Sequence, residues 1–391
     1  MVTVMKKIGI FLESEPSGGG IFQHNQIILD AVAALPRDRF SVVVCYTSPL
    51  WLDYLKDYDM KSVLVERGFW GRALGLGWQL LGLPMGLWRR VSPLVFPLSR
   101  ALLREGCDLW IFPSQDARGY QVPVPSLIVI ADLMHRYERS FPESGSRWQY
   151  LVRDRHYANI CRFAKGVLVD SELGRRHVME SYGAARERIH VLPLIAPRYM
   201  SSARTPQDFE ERYRLPAKFI FYPAAFWEHK NHKRLLRAVA ALKQELPDLK
   251  IVLAGSKKNA YASVASLVQE LQLADEVTFL GYVPDADMPE LYRRARALVM
   301  PTFFGPTNIP PSRRLWPDAR SPSPAPTACP NRPAARRFTS IRNRCPKWRT
   351  ASGACGPTTV SAWTCRRRGG RGRQTGGSSS SMSGCWRSLP G

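Results

Sequence analysis

Short apolar runs alternate with helix-length amphipathic segments from Ile8 to Thr302, and this alternation admits few folds. Runs this short, each followed by a helical period, bury both faces only in a parallel sheet covered by helices. The strands expected in the first half are Ile8–Leu12, Ser41–Tyr46, Ser62–Val65, Asp108–Phe112, Ser126–Ala131 and Gly166–Val169. In the second half they are Phe219–Pro223, Lys250–Ala254, Val277–Val283 and Ala297–Thr302. A chain of 391 residues exceeds one ordinary core, so two lobes are expected. The fold class is therefore α/β, with two Rossmann-like lobes facing a cleft. A hinge is expected at Val191-Leu192-Pro193-Leu194 and Pro197, which divides the chain into lobes 1–197 and 198–311.

Ligands of open parallel sheets bind beyond the carboxyl ends of the strands. After the first strand come Gly18, Gly19 and Gly20, then a helix on which Ile21, Ile27, Ile28, Ala31, Val32 and Leu35 can share a face. Such a turn brings backbone N–H groups close to an anion, and it is also what a plain flexible turn looks like. Asp132 and His135 follow the strand Ser126–Ala131. There they can orient a sugar hydroxyl or assist proton transfer; equally, Asp132 can cap a helix and His135 can be solvated. In the second half Lys230 and Asn231 follow Phe219–Pro223 and open a helix with Leu235, Leu236, Ala238 and Val239 on one side. A fixed lysine at that place stabilises charge on a leaving phosphate, or is one more solvated helix residue.

The second half then repeats a known order of motifs. Lys230-Asn231 is followed by Ala254-Gly255-Ser256, by Phe279-Leu280-Gly281-Tyr282-Val283, by Leu291-Tyr292-Arg293-Arg294-Ala295, and by Val299-Met300-Pro301-Thr302. This series resembles glycosyltransferase family 4, and the resemblance covers both lobes as far as Pro311. It implies the GT-B fold and transfer of a hexose-type sugar, with retention, from a nucleotide sugar to a glycan or lipid-linked saccharide. No cofactor and no metal are implied. Lys230 is placed by the resemblance at the donor diphosphate, with Asn231, Gly255, Thr307 and Asn308 completing the donor side. Gly281 and Tyr282 would line the nucleobase pocket, Gly18–Gly20 would approach from the other lobe, and His135 with Asp132 would stand beside the transferred sugar. Two features depart from the family pattern. Ala224-Ala225-Phe226-Trp227 lacks the arginine usual there, and Phe303–Arg314 lacks both members of the glutamate pair that the family carries with seven residues between them.

From Ser312 the composition changes. Residues 312–391 hold sixteen of the 56 Lys and Arg but one of the 32 acidic residues, Asp318, and no glutamate. A segment so poor in apolar residues cannot bury enough surface to offset chain entropy, and little regular structure is expected in it. A reading-frame error explains it as well as a basic tail does. Joining each codon's third base to the first two of the next lets Thr327–Ala334 be written YGMPEQAG, Trp316–Ser321 AGCPV and Ser312–Arg314 Glu-Ala. Arg344–Pro357 becomes an amphipathic helix pattern in the same register. Arg313 then stands where the second glutamate belongs, and Gly305 where the first does.

The net charge of +24 drops to +9 once that segment is set aside, so nucleic acid is not expected as a partner; base-stacking platforms among the arginines are also too sparse. A third reading is a catalytically inactive remnant that keeps the fold. Cys45, Cys107 and Cys161 are scattered and lack metal-ligand spacing, as in a reduced cytoplasmic protein. The uncharged stretch 73–88, with Trp78 and Trp88, is shorter than the roughly 20 residues of a membrane span. Flanked by Arg89, Arg90, Arg100 and Arg104, it reads either as an interfacial segment with tryptophans at headgroup level or as a buried helix pair.

Overall fold

The computed structural model describes residues 5–15, 20–66, 73–75, 77–78, 81, 83–195, 200, 206–305 and 361–364. The first lobe is built on seven parallel strands. These are β1 (Lys6–Leu12), β2 (Phe40–Tyr46), β3 (Lys61–Leu64), β4 (Leu109–Phe112), β5 (Ser126–Val129), β6 (Gly166–Val169) and β7 (Ile189–Val191), in the order β3-β2-β1-β4-β5-β6-β7. The side-chain period of two splits each central strand between two cores. Ile8, Ile10, Leu12, Val42 and Val44 face one of them, whereas Phe11, Val43, Cys45 and Trp110 face the other. The short run Ile189–Val191, not expected as a strand, pairs with β6 and reaches the first residue of the expected hinge. Its partner strand accounts for this: edge pairing recruits a run too brief to stand out in sequence.

Helix Gly20–Ala33 follows β1 as expected, but its buried residues differ from the anticipated stripe. Ile27, Ile28 and Val32 are buried, while Ile21 is exposed and Ala31 lies outside. Polar Gln23, His24 and Asn25 are buried instead. Asn25 bonds Ser14 and Ser114, and His24 contacts Pro113 O at 3.1 Å and Asp170 at 3.5 Å. The helix is covered on two sides because it lies along the sheet and also reaches toward the other lobe.

The second lobe carries β8 (Ile220–Pro223), β9 (Ile251–Ala254), β10 (Val277–Gly281), β11 (Ala297–Met300) and β12 (Ser361–Thr364), in the order β10-β9-β8-β11-β12. The first four are parallel and share one core, which includes Phe221, Leu236, Leu253 and Leu298. β12 lies in the segment expected to lack regular structure, and it pairs antiparallel with β11 from Ala297↔Thr364 to Met300↔Ser361. One four-residue strand leaves that expectation standing: a strand edge offers unpaired N–H and C=O groups to any extended chain.

The interfacial reading of 73–88 is corrected in part. Trp88 is buried and meets Phe96 and Trp78, and Trp78 packs on the first-lobe core. Arg89 also turns inward, donating to Tyr120 O at 2.6 Å. Neither tryptophan is free for headgroups. The outward face holds Leu81, Leu87 and Leu94 with Arg90, Arg100 and Arg104. Among the described residues no helix is long and apolar enough to cross a membrane.

Candidate active site between the lobes

The loops after β8, β9, β10 and β11 meet at one edge of the second sheet, and backbone geometry fixes how. Gly255 has φ +155°, its N–H donates to Gly281 O at 2.7 Å, and a Cβ there would stand 2.2 Å from Ala224 O. Only glycine allows the ends of β8 and β9 to approach this closely. Gly255→Ala is therefore expected to destabilise the second lobe by about 2–3 kcal/mol, seen as a lower thermal midpoint. An unchanged midpoint would show that the strand ends can separate freely.

Beyond β8 the chain makes a single 3₁₀ turn, Glu228–Lys230, and leaves it at Asn231 with φ +62°. Asparagine tolerates that left-handed conformation better than most residues. Its side chain donates to Pro301 O at 2.9 Å, and Tyr222 donates its hydroxyl to Lys230 O at 2.7 Å. Thr302 and Phe303 both donate to His229 O. The turn is thus bolted to β8 and to the end of β11, and Lys230 leaves it in one direction.

That direction is toward the first lobe. Lys230 is half-buried, and its ammonium makes no hydrogen bond or ion pair among the described residues. Burial lowers its pKa, opposed by the nearby carboxylates Asp132 and Glu143 of the first lobe. Asp132 stands just past β5 and accepts the N–H of Met134 at 3.0 Å, so it also serves as a local cap. Glu143, on the 3₁₀ turn Pro142–Ser144, accepts the N–H of Glu228 at 2.6 Å across the lobe boundary. A second polar bridge joins Gln23 Nε2 to Asp285 at 2.8 Å. His229 is pushed toward its neutral form by burial first and by Lys230 second.

The residues singled out in the sequence are distributed unevenly over this edge. Asp132 and Lys230, 98 positions apart, come together electrostatically across the lobes. His135 is 1% exposed and turned into the first lobe, 3.4 Å from Asp154 and 3.3 Å from the Tyr182 hydroxyl. Neither anticipated environment, solvent or open cleft, is found for its ring: the helix Arg147–Phe163 packs over it through Tyr150, Asp154 and Tyr157. Burial lowers its pKa against the pull of Asp154. Asn231 is committed to Pro301 and positions Lys230. Gly281 has φ +67°, and Tyr282 beside it is exposed, within electrostatic reach of Asp285 and of Tyr54 in the first lobe. Gly20 opens its helix. Gly18, Gly19, Thr307 and Asn308 lie outside the described residues. Glu143, His229 and Gln23 went unrecognised in the sequence, because no motif or periodicity marks a contact made only when two lobes meet. Among the described residues no three His, Cys, Asp or Glu side chains gather to hold a metal ion.

Known proteins share this fold. HepE of Anabaena in complex with UDP superposes with a TM-score of 0.53 at 16% identity, covering 78% of this chain and 76% of that one. Residues 204–308 match the family described as Glycosyl transferases group 1. The chain has the GT-B fold. Mannosylfructose-phosphate synthase of Agrobacterium fabrum is 24% identical over 186 residues, 43% of this chain and 40% of that protein. O-antigen chain mannosyltransferase B of Escherichia coli is 27% identical over 155 residues, 38% and 40% respectively. The chain thus matches about two-fifths of the length of these curated relatives, and the matched family segment contains the Lys230 turn and all four parallel strands of the second sheet.

Proposed function

We propose that this protein transfers a hexose-type sugar from a nucleotide sugar to a glycan or lipid-linked saccharide, with retention and without a metal, as a member of glycosyltransferase family 4. The observation that carries the reading is Lys230: its backbone is tied to the strand edge, and its ammonium is unpaired among the described residues and within electrostatic reach of first-lobe carboxylates. A diphosphate placed there gains a fixed cation as its bond to the sugar breaks. Asp132, on the opposite side, orients a sugar hydroxyl. His135, tied to Asp154 and Tyr182, steadies that loop from within. Calorimetric titration with UDP-glucose and GDP-mannose, alongside release of UDP or GDP in the presence of saccharide acceptors, tests the reading. Binding of neither donor would overturn it.

The inactive-remnant reading has its own support in Gly305 and Arg313, which stand where the family carries glutamates. It predicts poor donor binding and no turnover.

For the acceptor, the outward face of helix Met85–Val95 supports cytoplasmic contact with a membrane surface through leucines and arginines rather than tryptophans. Leu87→Asp combined with Leu94→Asp is expected to lower the fraction bound to anionic vesicles by roughly tenfold, measured by flotation. Equal flotation of the variant would remove this face from the proposal.

A further inference from the structure

The second lobe presents two hydrogen-bond donors and a nearby imidazole to one carboxylate oxygen of the first. Glu143 Oε1 accepts the Glu228 N–H at 2.6 Å and the Asn259 amide at 3.2 Å, and His229 Nδ1 stands 3.5 Å away. The Glu143 side chain is 9% exposed, and its other oxygen, Oε2, is buried without a hydrogen-bond partner among the described residues. Enclosing a carboxylate with one oxygen unmet is unfavourable. Burial accordingly pushes its pKa up, yet the hydrogen bonds it accepts outweigh burial and hold it below the usual carboxylate range. The converging donors all belong to the second lobe, and they would serve any oxyanion in that place equally well. Lys230, next in the chain to His229, feels both Glu143 and Asp132, so a diphosphate arriving at Lys230 meets two like charges. Of the two, Asp132 is tied within its own loop, whereas Glu143 reaches across the lobe boundary and leaves when the lobes part.

We propose that Glu228 N–H and Asn259 Nδ2, with His229 beside them, form an oxyanion subsite on the second lobe, which Glu143 fills in this structure and a phosphate oxygen of the ligand takes when Glu143 withdraws. This deepens the donor-site reading and rests on it. Glu143 is then a competitor for the donor's place and a contact that closes the lobes, and its removal strengthens anion binding rather than weakening it.

The test titrates the full-length chain with inorganic pyrophosphate, UDP and uridine. Glu143→Gln keeps an acceptor for the Glu228 N–H and removes the charge. It is expected to bind pyrophosphate and UDP about tenfold more tightly, with uridine unchanged. Asn259→Ala is expected to bind both anions about tenfold more weakly. Anion binding elsewhere on this basic chain is common to all three proteins and cancels in the comparison. If Glu143→Gln fails to melt cooperatively, Glu143→Asp replaces it, since the shorter arm cannot reach the subsite, and the same gain is expected. Unchanged or weaker pyrophosphate binding by the substituted protein overturns the proposal. A loss confined to UDP-glucose also overturns it and makes Glu143 a contact to the sugar. Should the pyrophosphate response appear as stated while no sugar nucleotide binds, the donor reading fails and the subsite stands.

Discussion

Restoring the alternative reading frame after Pro311 is expected to raise sugar-nucleotide affinity at least tenfold and to give a sharper, higher thermal transition. Two physical reasons support this. The register that turns Arg313 into glutamate returns a carboxylate to the position at which the family holds the donor ribose, and a charged hydrogen bond is worth roughly 1.5–3 kcal/mol. The same register replaces a segment with sixteen Lys and Arg and a single acid by one with helical amphipathic periodicity, able to add apolar cover to the second sheet. As written, the outer edge of β11 is met, among the described residues, by four residues of that segment, running against the direction of the other four strands. The comparison requires both forms, expressed and purified alike, with UDP-glucose and GDP-mannose binding by calorimetry and melting by circular dichroism. Equal affinity and equal cooperativity would establish residues 312–391 as a working domain and sink the frame argument.

Lys230→Met in the frame-restored protein is expected to lower kcat/KM roughly 100-fold, with a smaller change in donor affinity. The asymmetry follows from the proposed role. Loss of a fixed charge that stabilises developing negative charge on a leaving group costs about 2.7–4 kcal/mol in comparable sites, whereas ground-state diphosphate keeps its other contacts. Methionine preserves the volume of the side chain, and Asn231 still ties the turn to Pro301, so the fold is not expected to suffer. Lys230→Arg retains the charge but not its place, and an intermediate rate is expected. Turnover within threefold of the parent for Lys230→Met would show that the ammonium does not meet the leaving phosphate, and the site would have to be sought elsewhere in the cleft.

How much of this was legible in the sequence depends on the range of the forces involved. Period and run length are local properties, and they located β1, β2, β4, β6 and β8 to within a residue or two. β7 leaves no mark in the sequence because three residues carry no period of their own; its pairing with β6 is a tertiary fact. The helix after the glycines was read as one apolar stripe, and buried Gln23, His24 and Asn25 escaped notice because their partners Asp285, Asp170 and Ser114 lie far along the chain. The Lys230-Asn231 pair was visible as a motif, and the structure adds the reason for its second member: a left-handed residue that can also reach Pro301. His135 was found by the same strand-end logic as Asp132. Its ring nevertheless faces inward, since strand-end position says which loop a residue occupies and nothing about where its side chain points. Glu143 had no signature at all.

The hydrogen bond from Asn231 to Pro301 has a consequence that reaches past the turn it closes. Pro301 directly follows β11, the strand whose outer edge receives Ser361–Thr364. Lys230 is therefore surveyed from β11 as a mast is stayed from the deck: wherever that strand sits, the ammonium is carried with it. On the reading-frame account, the change ten residues downstream would not be confined to a missing carboxylate or a frayed margin. It would be transmitted through one strand and one amide to the cation in the cleft, so that the last fifth of the sequence would set the aim of a residue encoded well before it.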